Sequence, residues 1–242
     1  MLEKIKRKII NKKYPLLLEL IKWKIIDIKR GFKSFKKPHV YGIWLICGLY
    51  GQGKTMYLSY YLDSMRKKYG NDIYICTNYY FKGQDFPMTD WKMLLDEYDK
   101  PIIFGFDEIQ NEFNSRNYQS FPTELLTMLT QNRKGNGKMV VGTAQRYVRV
   151  DKIFRELCTH ICECKTRFGR LTSVKFFDWE DYEMLLKTTN VNMRMKIRPM
   201  KRFLFVQNDE LRNSYDSFQM LESAKTKEYI SKKERAEIQQ LI

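Results

Sequence analysis

Ile43-Trp44-Leu45-Ile46-Cys47-Gly48-Leu49-Tyr50-Gly51-Gln52-Gly53-Lys54-Thr55 decides the fold of this chain. Its last eight residues fit G-x-x-x-x-G-K-[ST], a loop whose glycines let the backbone close around a phosphate with its N–H groups pointing inward. The pattern has meaning only between a strand and a helix. Here the apolar run Ile43–Cys47 reads as a buried strand, and Met56 to about Tyr69, closed by Gly70, reads as a helix. Gly48, Gly51, Gln52, Gly53, Lys54, Thr55 and Met56 are therefore the candidate nucleotide-binding residues. Lys54 is placed for the β- and γ-phosphates, and Thr55 for a magnesium ion.

Working outward, strands and helices alternate. Asp72–Thr77 reads as a strand and Asp90–Tyr98 as a short helix. Ile102–Phe106 is an apolar strand introduced by Pro101; Pro122–Gln131 is helical, and Met139–Thr143 is another strand. Such alternation predicts an α/β fold, a mostly parallel sheet covered by helices. The pattern then changes to a hairpin, Leu157–Thr166 and Leu171–Phe177, around Phe168-Gly169-Arg170. Residues 1–32 read as one or two basic amphipathic helices, 33–39 as a linker, and Ser223–Ile242 as a charged helix. The expected organisation is a basic helical extension over 1–38, a phosphate-loop domain over 39–222 and a C-terminal helix over 223–242.

The chemistry needs more than a phosphate loop. Ile102-Ile103-Phe104-Gly105-Phe106-Asp107-Glu108 ends an apolar strand in two acids. Asp107, at the tip, is placed to hold the metal, and Glu108 to polarise an attacking water. Gln145 follows the strand Met139–Thr143, where an amide can sense the γ-phosphate. Arg133, in Gln131-Asn132-Arg133-Lys134-Gly135, can reach into a neighbouring subunit's site or simply complement a helix C-terminus. Arg146, Arg149 and Arg155 are rivals for the donated arginine. The predicted catalytic set is thus Glu108, Lys54, Gln145 and Arg133, with Thr55 and Asp107 on the metal.

These motifs, in the order phosphate loop, FGFDE, QNRKGNGK, VVGTAQ and VDKIFREL, resemble the FtsK–HerA superfamily of DNA-pumping P-loop ATPases. The texture is closest to its Zot-like branch, linked to filamentous-phage assembly. The resemblance spans about residues 40–220, and Tyr215-Asp216-Ser217-Phe218 is similar to a YDT signature near the end of such domains. It implies a RecA-like P-loop NTPase with an additional strand and a catalytic glutamate. The two motifs become Walker A and Walker B, the cofactors ATP and Mg2+, and the assembly a homo-oligomeric ring on DNA among phage or transfer-machine proteins. The absence of N-K-x-D and of L-S-G-G-Q argues against a GTPase and a transporter-type ATPase. An AAA+ ATPase usually carries Asn or Thr where Gln145 stands.

Charge points the same way. Of a formal net charge of +16, residues 1–37 hold thirteen Lys and Arg against Glu3, Glu19 and Asp27. That suits a polyanion, either nucleic acid or an anionic membrane surface under residues 1–32. No stretch reads as a transmembrane span, because Glu19 and Lys22 interrupt the Leu16-Leu17-Leu18 segment. Zot-like proteins usually carry a span after the ATPase domain, so the expectation moves towards a DNA translocase in packaging, export or transfer. A membrane-peripheral, ATP-gated assembly factor is the alternative. Five cysteines without paired spacing suggest reduced thiols in host cytoplasm, with a place at the inner membrane face or a virion left open. Cys158, His160, Cys162 and Cys164 alternate along the predicted strand; their parallel side chains suit a buried face better than zinc.

Overall fold

The computed structural model describes residues 16–29, 38, 40–113, 123–132 and 135–216. By its internal contacts the chain divides into two units, Met1–Pro38 and His39–Ile242. In the first, residues 16–29 form helix α1, which exposes Leu16, Leu17, Leu20, Ile21, Trp23 and Ile28 among its lysines.

The second unit is built on an eight-stranded sheet. β1 (Gly42–Cys47), β2 (Tyr74–Thr77), β4 (Phe86–Pro87), β5 (Ile102–Phe106), β6 (Lys138–Ala144) and β7 (His160–Arg167) run parallel. β8 (Leu171–Phe177) and β9 (Lys201–Val206) extend the sheet antiparallel. The order β4-β2-β5-β6-β1-β7-β8-β9 sets β1 near the centre. A separate two-stranded ladder pairs β3 (Tyr80–Phe81) with β10 (Tyr215–Asp216). Helix α2 (Lys54–Tyr69) follows the phosphate loop, while α3 (Thr123–Thr130), α4 (Lys152–Glu156), α5 (Trp179–Lys187), α6 (Val191–Lys196) and α7 (Asp209–Arg212) come later.

Strand burial follows position. β5 lies between β2 and β6 and is buried throughout, as its unbroken apolar run requires. β9 is an edge strand, and only Phe205 in it is buried. The period of two divides the core. Ile43, Leu45 and Cys47 face one cluster with Phe104, Phe106 and Phe154; Ile46 faces the other, with Leu58 and Leu62 of α2 and Phe81. α2 ends on Gly70, whose left-handed φ of 53° lets its N–H reach the Arg66 carbonyl, and Arg66, Lys67 and Lys68 suit the negative helix end.

Several expected boundaries move. The strand expected from Asp72 begins at Tyr74, because Gly70–Asp72 closes α2 with a 3-10 turn. Only Trp91–Leu94 of the expected Asp90–Tyr98 helix is helical, a 3-10 turn capped by the Asp90 carboxylate. Cys158 lies before β7 and packs in the cluster of Ile43 and Phe104, whereas Cys162 and Cys164 pack on the α2 side. The four Cys and His side chains therefore do not share one face.

All five cysteines are buried, and burial pushes their thiols up, Cys76 and Cys164 to about 12. A raised thiol keeps its proton in the folded chain when the unfolded chain, near the ordinary 9.0, has lost it. That contribution to stability is complete below about pH 9 and declines as pH climbs towards 12. Urea unfolding midpoints are expected to fall steadily from pH 8.5 to 11. At pH 8 a thiol reagent should find no fast-reacting cysteine before unfolding and five after it.

Candidate active site

The phosphate loop leaves β1 at the C-terminal edge of the parallel strands. It returns into α2 at Lys54, with the Tyr57 N–H bonded to the Gly53 carbonyl at 2.9 Å. The loop is held on both flanks. Gly48 N–H donates to the Ala144 carbonyl of β6 at 3.3 Å, and Gln52 Oε1 accepts from the Thr166 N–H of β7 at 3.1 Å. Two glycines are required by these close approaches. A Cβ on Gly48 would meet the Cys164 carbonyl at 3.0 Å. One on Gly53, whose φ is +79°, would stand 2.7 Å from Thr166 Oγ1. Lys54 is only 7 % exposed, and its Nζ donates to the Leu49 carbonyl at 3.3 Å within its own loop. Met56 packs its side chain in the core, so only its backbone can face a ligand at the loop.

The acid pair lies at the tip of β5. Asp107 is 7 % exposed, and its Oδ1 accepts from Thr55 Oγ1 at 2.9 Å and from Thr143 Oγ1 at 2.6 Å. Its backbone is clamped by Asn78 at the end of β2: the Asp107 N–H donates to Asn78 Oδ1 at 2.7 Å, and Asn78 Nδ2 donates to the Asp107 carbonyl at 3.0 Å. Glu108 follows in a left-handed conformation, φ 53° and ψ 54°, which takes its chain out of the strand direction. Its N–H donates to Thr143 Oγ1 at 2.9 Å, and its carboxylate accepts from Gln110 Nε2. Gln110 is buried, and its Oε1 has no hydrogen-bond partner among the described residues.

Thr55 and Asp107, predicted as metal ligands, are thus in direct contact. A hydroxyl and a carboxylate are hard oxygen donors of the kind magnesium selects, so this pair fits that ion. Gln145 follows β6 and lines an open cleft of about 820 Å³ with Gly48, Gln52, Arg146, Lys165 and Lys175. Tyr215 of β10 feels one of the acids: burial raises its hydroxyl first, and the negative charge of Asp107 raises it further. Arg155 is engaged internally, pairing with Glu183 at 3.2 Å and lying over the Tyr147 ring. Arg146 and Arg149 are exposed. Arg133, Ser217, Phe218 and the expected helix 223–242 lie outside the described residues. Asn78, Gln110 and Thr143 went unread in the sequence; a polar residue ending an apolar strand at Thr77-Asn78 or Thr143 was the available signal.

No family model and no curated protein matches the chain. Among solved structures it is similar to the N-terminal domain of zonular occludens toxin from Neisseria meningitidis, at 18 % identity over 73 % of this chain and 100 % of that one, TM-score 0.47. It is also similar to the genome packaging NTPase B204 from Sulfolobus turreted icosahedral virus 2 in complex with ATP-gammaS. There the identity is 13 %, over 69 % of this chain and 97 % of that one, with a TM-score of 0.45.

Thr143→Val tests the hydroxyl that both donates to Asp107 and accepts from Glu108. Leaving a buried carboxylate short of a donor should cost about 1–3 kcal/mol in urea unfolding. Thr143→Ser, which keeps the hydroxyl, should cost less.

Proposed function

We propose that the chain is an ATP-hydrolysing DNA translocase of a phage or mobile element, of the Zot-like branch of the FtsK–HerA superfamily, acting in DNA packaging, export or transfer. The observation that carries this reading is the meeting of Thr55, at the start of α2, with Asp107 at the tip of β5, while Glu108 is turned out of the strand beside them.

In this reading loop N–H groups after Gly48, up to Thr55, would hold the phosphates. Lys54 leaves the Leu49 carbonyl for phosphate oxygens, a better acceptor for an ammonium group. Thr55 and Asp107 hold Mg2+, which would neutralise charge on the phosphates. Glu108 takes a proton from the attacking water, Gln110 orients the carboxylate from behind, and Gln145 reports loss of the γ-phosphate to the cleft it lines. Arg133 of a neighbouring subunit in a ring would complete the site. The same reading places the protein in host cytoplasm, with DNA held chiefly through phosphate contacts.

A second reading has its own support. Helix α1 carries exposed Leu, Ile and Trp side chains among lysines, and no helix among the described residues is long and apolar enough to cross a membrane. Such a helix suits the surface of an anionic bilayer, and ATP would then gate assembly with phage proteins instead of moving DNA.

Purified protein should hydrolyse ATP, with DNA raising the rate. Glu108→Gln should lower turnover by about 10²–10⁴-fold while ATP still binds. Hydrolysis indifferent to DNA contradicts the translocase and favours the assembly factor. Deleting residues 1–32 separates the roles of that segment. Loss of liposome binding with DNA stimulation intact makes it a membrane tail, and loss of DNA stimulation makes it part of the DNA path.

A further inference from the structure

The turn between β7 and β8 is built in an uncommon way. Arg170 N–H donates to the Arg167 carbonyl at 3.2 Å, and the two central residues, Phe168 and Gly169, have φ of +52° and +69°. Two left-handed residues in succession match the right-handed twist of a hairpin, but the first position favours Asn, Asp or Gly. A phenylalanine there is strained, and burial does not compensate it, since Phe168 is 92 % exposed. Strain of this kind in an ordered turn points to a use for the side chain.

The turn is also braced. Arg212 of α7 donates from Nη2 to the Gly169 carbonyl at 2.6 Å and to Gln207 Oε1 at 3.0 Å. Gln207, 5 % exposed, donates its side-chain amide to Thr172 Oγ1 at 2.8 Å and its N–H to the Arg170 carbonyl at 2.9 Å. Arg170 returns a bond to the Gln207 carbonyl and pairs with Asp209 at 2.8 Å. An aromatic ring is thus carried into solvent on a fixed strut, with Arg167 just before it and Arg170 two residues after.

Topology says what lies beside it. β7 runs parallel to β1, so its C-terminal end emerges at the same edge as the phosphate loop, and Gln52 bonds the loop to Thr166, two residues before Phe168. The strand order places β6 and β5, with Asp107 and Glu108 at its tip, on one flank of β1, and β7, β8 and β9 on the other. A triphosphate bound in the loop with its γ end at the acids would have its nucleoside end on the other flank of β1, the side from which the β7–β8 turn carrying Phe168 projects.

We propose that Phe168 is the shelf on which the purine base of the bound nucleotide stacks, with Arg212 and Gln207 fixing the turn that carries it. The proposal rests on the reading of the loop as an ATP site. A π-face takes any purine, so ATP and GTP should bind within a few-fold of each other, the discrimination falling between purine nucleotides and base-free polyphosphate.

The test is calorimetric titration of the full chain with ATP, and separately with inorganic tripolyphosphate, both with magnesium. The proteins are wild type, Phe168→Ala, Phe168→Trp and Lys54→Ala. Phe168→Ala is expected to weaken ATP about tenfold or more and to leave tripolyphosphate unchanged. Phe168→Trp should keep ATP affinity, and its added fluorescence should be quenched by ATP and not by tripolyphosphate. Unchanged ATP binding by Phe168→Ala overturns the proposal, as does an equal loss for both ligands. If that variant binds ATP normally but loses affinity for a DNA oligonucleotide, the ring belongs to nucleic acid instead. Failure of the parent reading is distinct: wild type binds neither ligand, or Lys54→Ala binds both as well as wild type, and the proposal falls with the site.

Discussion

One buried oxygen organises this site. Asp107 Oδ1 takes hydrogen bonds from Thr55 at the start of α2 and from Thr143 on β6, and the Asn78 side chain at the end of β2 brackets the Asp107 backbone. A carboxylate this buried is costly unless its lone pairs are used. The demand for donors therefore draws β5, β6 and the N-terminal start of α2 together at the C-terminal edge of the strands. Thr143 serves twice, because the oxygen that donates to Asp107 also accepts from the Glu108 N–H. Asp107 and Glu108 are thus linked through a single hydroxyl.

The opposite flank of the phosphate loop follows a similar logic with neutral groups. Thr166 and Thr172 share a bond at 2.9 Å, Gln207 donates to Thr172, and the bare Cα of Gly53 lies over them. The loop is thus seated between a charged hub and a polar row. Antiparallel strands β8 and β9 supply the second seat. They lengthen the sheet past β7, and their polar ends reach the edge where the loop emerges. Lys54 completes the picture, since its ammonium rests on a carbonyl of its own loop, a weaker partner than a phosphate oxygen.

Much of this was legible because buried parallel strands are written as unbroken apolar runs. Ile43–Cys47, Ile102–Phe106 and Met139–Thr143 sit within a residue or two of β1, β5 and β6. The residues following their ends, Gly48–Thr55, Asp107 and Glu108, fell where the sequence placed them. What escaped was written differently. β9 opens on Lys201 and Arg202 and exposes Leu204 and Val206, as an edge strand can, and its apolar run, Phe203–Val206, is only four residues long. Asn78 acts through a contact across the fold, which no local spacing announces, whereas Gln110 reaches back only two residues, to Glu108. Cys158 looked continuous with the strand because alternation continues through a loop as easily as through a ladder. The second β-ladder, Tyr215 with Phe81, joins residues far apart in the chain.

The central claim is that Thr55 and Asp107 form one half of a magnesium–nucleotide site whose other half is the phosphate loop. Calorimetric titration of ATP into Glu108→Gln protein, with and without magnesium, tests it most directly, with Thr55→Ala in the same background as the comparison. The account predicts one ATP per chain, bound more tightly with magnesium, and loss of that magnesium increment in Thr55→Ala. ATP that does not bind, or that binds equally with and without magnesium, would contradict it.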